Sequence, residues 1–171
     1  GRTEDSNGYF QNGLRGTGQV IWEEFQRSDP ELAALGRERF DRTGLILLGT
    51  LRKNGWPRIS PVEVLITDGQ LYLGMMWRSR KALDLLRDPR CTVHSTICDR
   101  AGTEGEFKVY GHAVDVQDLE ARQRYGVALF EKIQVRLEDD SEYHLFAVDI
   151  QSAAFVIIRN EEMKHQEWKA A

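Results

Sequence analysis

Cysteine is scarce in this sequence: only Cys91 and Cys98 occur among 171 residues. They stand seven residues apart and form no Cys-x-x-Cys pair. The pattern therefore argues against a disulfide framework and against a zinc site built on cysteine pairs. A chain with two reduced thiols is typical of the cytoplasm, and we expect that location.

Long hydrophobic runs are also missing. No stretch approaches the roughly 18 to 20 apolar residues that span a bilayer, and no signal-peptide pattern opens the chain, so no membrane partner is predicted. Positive charge is in deficit, because 23 Lys and Arg face 27 Asp and Glu for a net charge of −4. This balance argues against general nucleic-acid binding.

Recognisable catalytic and metal-binding constellations are absent from the pattern. The four histidines, His94, His112, His144 and His165, show no close helical spacing of the kind that holds zinc, and we predict no metal site. The alternative that one of these histidines binds a haem iron stays open. No Ser-His-Asp or Cys-His set is suited to nucleophilic catalysis, so no catalytic side chain is assigned.

What the chain does contain is a succession of short apolar segments separated by turn signals. The length predicts one domain. Residues 1–20 are polar and glycine-interrupted and start without methionine, so we interpret them as a tail or appended segment, and residues 21–171 as a single domain. Asn54-Gly55 is the strongest hairpin signal, since both central residues of a type I′ turn need positive φ, and Asp68-Gly69 predicts a second turn.

The predicted elements are mainly β. We expect about seven antiparallel strands, at residues 45–51, 56–66, 71–76, 90–96, 106–116, 143–150 and 153–158. Three short helices are expected at residues 30–41, 80–87 and 118–131, the second with Leu83 and Leu86 on its apolar side. Hairpin-linked strands of even spacing favour closure into a barrel, and no βαβ rhythm suggests a doubly wound sheet. A polar tail is expected at the C-terminus.

The stretch from Arg52 to Lys81 is locally basic. It holds six Arg and Lys and two acids in an otherwise acidic chain, which suggests an anionic ligand. Ser79 is predicted to cap a helix whose free N–H groups, together with Arg80 and Lys81, would cradle a phosphate. Arg58, on the neighbouring strand, can reach the same phosphate. The alternative is a solvated surface with incidental charge.

These motifs also carry a family resemblance. The segments Asn54–Val62, Ser79–Leu85 and Asp88–Arg90 occur in the order typical of the pyridoxamine 5′-phosphate oxidase-like superfamily, and the sequence resembles that superfamily, including its flavin/deazaflavin oxidoreductases. The resemblance implies an FMN-binding split β-barrel that forms a homodimer, with two cofactor sites between the subunits. Met75-Met76-Trp77 departs from the aromatic-Thr-Asn sequence of the pyridoxamine-specific oxidases, so that particular activity is not implied.

The resemblance also implies a set of cofactor-binding positions. Phosphate contacts fall on Arg58, Ser79, Arg80 and Lys81. The strand segment along the isoalloxazine ring falls on Ser60, Pro61 and Val62, and the strand end beside the ribityl chain on Met75, Met76 and Trp77.

Two functions remain open at this level. The first is an FMN-dependent oxidoreductase that transfers hydride to or from a small organic substrate. F420 is the alternative cofactor, because Arg52, Lys53 and Arg78 extend the positively charged strip and would suit the acidic tail of F420. The second is a flavin or haem carrier without turnover. A homodimer is expected from the resemblance and from two apolar segments, residues 146–148 and 155–158, that a lone barrel would leave uncovered.

Overall fold

The computed structural model describes residues 18–137 and 142–171. Its helices are α1 (Trp22–Ser28), α2 (Pro30–Thr43), α3 (Arg80–Arg87) and α4 (Leu119–Ile133). Its strands are β1 (Leu45–Leu51), β2 (Pro57–Thr67), β3 (Gln70–Met76), β4 (Arg90–Ser95), β5 (Glu106–Asp115), β6 (Tyr143–Arg159) and β7 (Glu162–Lys169). Residues 1–17 of the predicted tail, and residues 138–141 between α4 and β6, lie outside the described residues.

The strands form one antiparallel sheet in the order β3-β2-β1-β4-β5-β6-β7, and β3 also pairs with β6. That last pairing closes six strands into a barrel and leaves β7 as an extra strand. The 17-residue β6 serves both purposes: residues 143–147 pair with β3, and residues 152–159 pair with β7. The predicted mainly β barrel is therefore confirmed.

The core occupies the barrel interior and one of its ends. Phe107 lies at the centre of an aromatic group contributed by α1 and α2, with its ring centroid 5.2 Å from that of Phe40 and 6.3 Å from that of Trp22. A second apolar cluster forms where α4 packs against β3 and β6, and there the Tyr72 and Tyr125 rings meet edge to face at 5.5 Å. The helices thus cover apolar surface that the barrel alone would expose.

All three predicted helices begin at their predicted caps, and in two of them the cap side chain accepts a hydrogen bond. Asp29 accepts a hydrogen bond from the Leu32 N–H at 3.1 Å, and Asp118 accepts one from the Ala121 N–H at 2.9 Å. Each carboxylate satisfies an N–H that has no partner within its own helix. Pro30 occupies the first turn of α2, as expected from its fixed φ.

The two predicted turns differ in type. Asp68 and Gly69 have φ of 55° and 72°, and Thr67 pairs with Gln70, which together make a two-residue type I′ hairpin. At Asn54-Gly55 only the glycine has positive φ, 85°. There the Gly55 N–H donates to the Arg52 carbonyl at 2.8 Å, so the type I′ interpretation at Asn54 was wrong. A longer loop removes the need for two left-handed residues.

Three further expectations are corrected. The short helix α1 was missed because it has no side-chain cap and is held by the burial of Trp22 and Phe25. The two predicted final strands are one continuous strand, β6. The C-terminal segment that was predicted to be a polar tail is the strand β7. Its residues are mostly polar because this edge strand is mostly exposed to solvent. Within β7 only Trp168 packs inward, with its ring centroid 5.0 Å from that of Phe25.

The face that α3 buries also differs from the prediction. Leu83 and Leu86 are 41% and 49% exposed, whereas Ala82, Asp84 and Leu85 are buried. The buried face of α3 thus includes the carboxylate of Asp84, which an apolar helix face would not contain. None of the helices in the described part of the chain is both long and apolar enough to cross a bilayer.

Two helical glycines provide a matched test of this packing. A Cβ added at Gly36 in α2 would lie 2.4 Å from the Phe107 ring, whereas one added at Gly126 in α4 would meet nothing within 4 Å. Replacing glycine by alanine inside a helix stabilises by about 0.5 to 1 kcal/mol where space allows. Overpacking costs about 1 to 3 kcal/mol.

We therefore expect Gly126→Ala to raise the free energy of unfolding and Gly36→Ala to lower it, measured by urea denaturation. Equal shifts in the same direction for both variants would show that α2 does not pack on Phe107 as described.

Candidate functional site

A positively charged groove lies between the β1–β2 hairpin and α3. It has a volume of about 540 Å³ and is lined by Arg52, Lys53, Asn54, Arg58, Arg80, Leu83, Asp84 and Arg87. The α3 members are spaced i, i+3, i+4 and i+7, which places them on one face of the helix. Five cations and one carboxylate converge there, an arrangement suited to an anion carrying more than one charge.

Asp84 is the buried centre of this groove. Its carboxylate, 3% exposed, accepts hydrogen bonds from Thr50 Oγ1 at 2.8 Å, Arg58 Nε at 2.7 Å and Arg87 at 3.1 Å. Desolvation by burial raises the pKa of Asp84, but the hydrogen bonds from Arg58, Thr50 and Arg87 outweigh it and the pKa is lowered. Asp84 is therefore a carboxylate that fixes two arginines.

This arrangement leaves Arg58 available to a ligand. Asp84 engages its Nε, and no described residue bonds the two terminal nitrogens of the guanidinium. These nitrogens are the ones that bind phosphate or carboxylate oxygens in bidentate fashion. Sequence reasoning found Arg58 but missed Asp84, because a single acid within a basic helix carries no local sign of burial.

The N-terminus of α3 lies at one end of the groove. Ser79 occupies the N-cap position as predicted, yet its side chain makes no capping bond. Its Oγ is buried and has no hydrogen-bond partner among the described residues. The first helical bond runs from the Leu83 N–H to the Ser79 carbonyl at 3.0 Å, so the N–H groups of residues 80–82 precede the helical ladder and are oriented for an anion.

The turn that leads into α3 is held from β6. Arg78 has φ of +55°, which costs a non-glycine residue about 1 to 2 kcal/mol. Its N–H donates to His144 Nε2 at 3.0 Å, and the Trp77 ring stacks on the His144 ring at 4.5 Å with an interplanar angle of 12°. His144, isolated in the sequence, was missed as a residue of this site.

The remaining predicted residues fall into three pairs that differ in exposure. Val62 and Met75 are 3% and 6% exposed and lie in the barrel core, so only their backbone atoms can face a ligand. Ser60 is half-buried, and Pro61 lies exposed in the part of β2 that pairs with β1 but not with β3. Met76 and Trp77 are 79% and 55% exposed beside the turn.

The predicted phosphate contacts are brought together only in part. Arg58 and Arg80 line the same groove, and Arg52 and Lys53 extend it. Ser79 and Lys81 are half-buried and do not line the groove, and neither does Arg78. Arg87, which was not predicted, takes a place on the groove wall.

A second, apolar pocket covers the outer face of the sheet. It has a volume of about 770 Å³ and runs across β2, β1, β4 and β5, with Leu47, Ile59 and Tyr110 among its lining residues. His94 and His112 also line it. The sequence showed no sign of this pocket because the side chains that form it alternate with core residues on four different strands.

Comparison with known proteins identifies the family. The family model for pyridoxamine 5′-phosphate oxidase matches residues 33–157, whereas no curated protein matches the chain. Among solved structures, the heme binding protein from Mycobacterium smegmatis aligns with a TM-score of 0.59 and 16% identity, over 78% of this chain and 57% of that one. The chain thus spans little more than half the length of that protein.

Two further structures are similar over most of their length. A protein related to general stress protein 26 of B. subtilis, from Clostridium acetobutylicum, aligns with a TM-score of 0.57 and 17% identity over 86% of this chain and 95% of that one. ChuZ from Campylobacter jejuni aligns with a TM-score of 0.61 and 13% identity, over 84% and 71% respectively. Identities this low show a shared fold only. The family match, which covers most of the barrel, shows that this chain belongs to the pyridoxamine 5′-phosphate oxidase-like split-barrel family.

Proposed function

We propose that this chain is an oxidoreductase that binds FMN through its phosphate in the groove between the β1–β2 hairpin and α3. The observation that carries the proposal is the convergence of five cations on that groove beside the N-terminus of α3. FMN would supply the hydride-transfer chemistry, and the protein would bind and orient it. The substrate is expected to be a small organic molecule.

The residues present fit a phosphate. The orphaned Ser79 Oγ and the N–H groups of residues 80–82 lack partners among the described residues, and a buried polar atom without a partner is unfavourable. Arg58 is held by Asp84 with its terminal nitrogens available. The groove therefore offers positive charge in one place before any ligand arrives, and the unpartnered N–H groups begin at Arg80 on its wall, which reduces the ordering cost of binding.

F420 is the alternative cofactor. Arg52, Lys53 and Arg87 add positive charge to the groove beyond what one phosphate monoester requires, and an acidic tail would use it. Arg78, which was predicted to be part of this positively charged strip, lies outside the groove. Arg87, which was not predicted, lines the groove instead. Comparing the affinities of FMN and F420 for the purified protein distinguishes the two.

A carrier or sensor without turnover is the second candidate. It is favoured by the fold shared with the heme binding protein from M. smegmatis and by His94 and His112 in the apolar pocket, where a flat hydrophobic ligand would fit. The absorbance and mass of the ligand that copurifies separate haem from flavin. For bound, reduced flavin, reoxidation faster with an added substrate than with oxygen alone indicates an enzyme.

We also propose that the protein acts as a homodimer, although the reason differs from the one based on sequence. The segments at residues 146–148 and 155–158 are largely covered within the monomer; Phe146 and Phe155 are 0% and 1% exposed. The exposed apolar surface is instead on the outer face of β1 and β2, where Leu47 and Ile59 are 38% and 65% exposed. A second copy that covers this face would remove it from water.

Arg80→Ala is the sharpest test of the phosphate site, because Arg80 lines the groove and has no ion-pair partner among the described residues. Loss of a charged hydrogen bond should weaken FMN binding by about 1.5 to 3 kcal/mol, or roughly ten- to hundredfold, measured by fluorescence titration. Arg27→Ala, an exposed cation on α1, serves as the control. Riboflavin, which has the same ring without phosphate, should bind both variants equally. An unchanged FMN affinity in Arg80→Ala would favour the solvated-surface interpretation.

Ile59→Glu tests the dimer. Because Ile59 is 65% exposed, the substitution should leave the fold intact while placing a charge on the proposed interface. Sedimentation at micromolar concentration should show a dimer for the parent and a monomer for the variant. Met163→Glu on β7, where the methionine is 71% exposed, is the control and should remain dimeric. A monomeric parent would contradict the proposal.

A further inference from the structure

The turn before α3 has a conformation that its own sequence does not favour. The Ser79 N–H donates to the Met76 carbonyl at 3.1 Å, and this places Arg78, with φ of +55°, at the third position of the turn. Glycine is the residue usually found there, because it adopts positive φ without steric cost. A residue with a side chain is therefore kept in this conformation by contacts from elsewhere in the fold.

His144 supplies those contacts. Its Nε2 accepts the Arg78 N–H at 3.0 Å, and its ring, 6% exposed, lies between Trp77 at 4.5 Å and Phe146 at 6.2 Å. The strand pairing places His144 opposite Met75, two residues before Trp77. One buried imidazole thus holds both the backbone and the side chain of the turn.

The hydrogen bond requires a neutral imidazole. A nitrogen that accepts an N–H carries no hydrogen, so the proton of neutral His144 must lie on Nδ1. Protonation would add a hydrogen to Nε2, and this new N–H would point directly at the N–H of Arg78, so the hydrogen bond would be lost. The cationic form and the observed turn are therefore incompatible.

The surroundings of His144 favour the neutral form. Desolvation by burial lowers the pKa of His144 from its usual value of 6.5, Asp115 on β5 opposes this, and Arg122 on α4 and Arg78 add to the lowering. These are the charged groups that face the ring among the described residues. Because the folded pKa is depressed, the neutral ring contributes stability above pH 6.5, and that contribution is lost as the pH falls through the folded pKa.

We propose that His144 is a positioning residue that holds the turn at residues 77–79 for cofactor binding and releases it when the imidazole is protonated. The inference rests on the proposed function, because the turn leads directly into α3, whose first residue, Arg80, lines the groove. A falling pH would then loosen the phosphate cradle without any change in its cations.

The first experiment needs no cofactor. In NMR spectra of the whole protein, the imidazole nitrogens of His144 should show the Nδ1–H tautomer at pH 7.5. The Arg78 amide resonance should shift between pH 7.5 and 5 with the same midpoint as the His144 ring. An Nε2–H tautomer, or an Arg78 amide that does not move while His144 titrates, would overturn the inference whatever the ligand of the groove.

The second experiment measures FMN affinity at pH 7.5 and 5.5 in the parent and three variants. His144→Gln offers an acceptor that does not titrate, and His144→Leu offers none. His165→Gln, exposed on β7, is the control. FMN phosphate takes up its own second proton near pH 6, so only the difference between proteins is diagnostic.

The parent and His165→Gln should lose more affinity on acidification than His144→Gln, by a factor that stays below about ten because the pKa of His144 lies below 6.5. His144→Leu should bind weakly at both values. Parallel losses in the parent and His144→Gln would contradict the positioning role. Absence of FMN and F420 binding in every protein would refute the proposed function instead, and the NMR titration would then decide the inference on its own.

Discussion

The pairing of β3 with β6 is the constraint on which the candidate site depends. It closes the barrel, and in doing so it brings His144 of the long strand β6 opposite Met75, at the end of β3. The turn and helix that follow β3 are thereby held at a fixed place relative to the hairpin of β1 and β2.

Within the groove, a buried carboxylate organises the positive charge. Burying a charge is unfavourable unless it is paired and hydrogen-bonded, and Asp84 meets that condition through Thr50, Arg58 and Arg87. The acid reduces the repulsion between neighbouring arginines and fixes the direction of Arg58. The groove keeps an excess of positive charge at its surface, while Asp84 neutralises part of the charge at its base.

The alternation of side chains along β2 separates two roles. Val62 points into the core with 3% exposure, whereas Ile59 points outwards with 65% exposure. The inward face ends at Arg58, which meets Asp84 of α3, and the outward face contributes to the apolar pocket on the sheet. One strand therefore contributes to the positively charged groove with one side and to the apolar pocket with the other, because successive residues of a strand face opposite ways.

Elements that are encoded over a few neighbouring residues could be predicted without the structure. The caps at Asp29 and Asp118, the Asp68-Gly69 turn, most strands and the basic segment from Arg52 to Lys81 could all be predicted, since each reflects local backbone preference or composition. The burial of Asp84, the support that His144 gives to the turn at Arg78 and the exposed apolar face of β1 and β2 became visible only in the folded chain. Arg58 and Asp84 are 26 residues apart, and Arg78 and His144 are 66 apart. Contacts over such separations exist only after the barrel closes, so no local pattern could have revealed them.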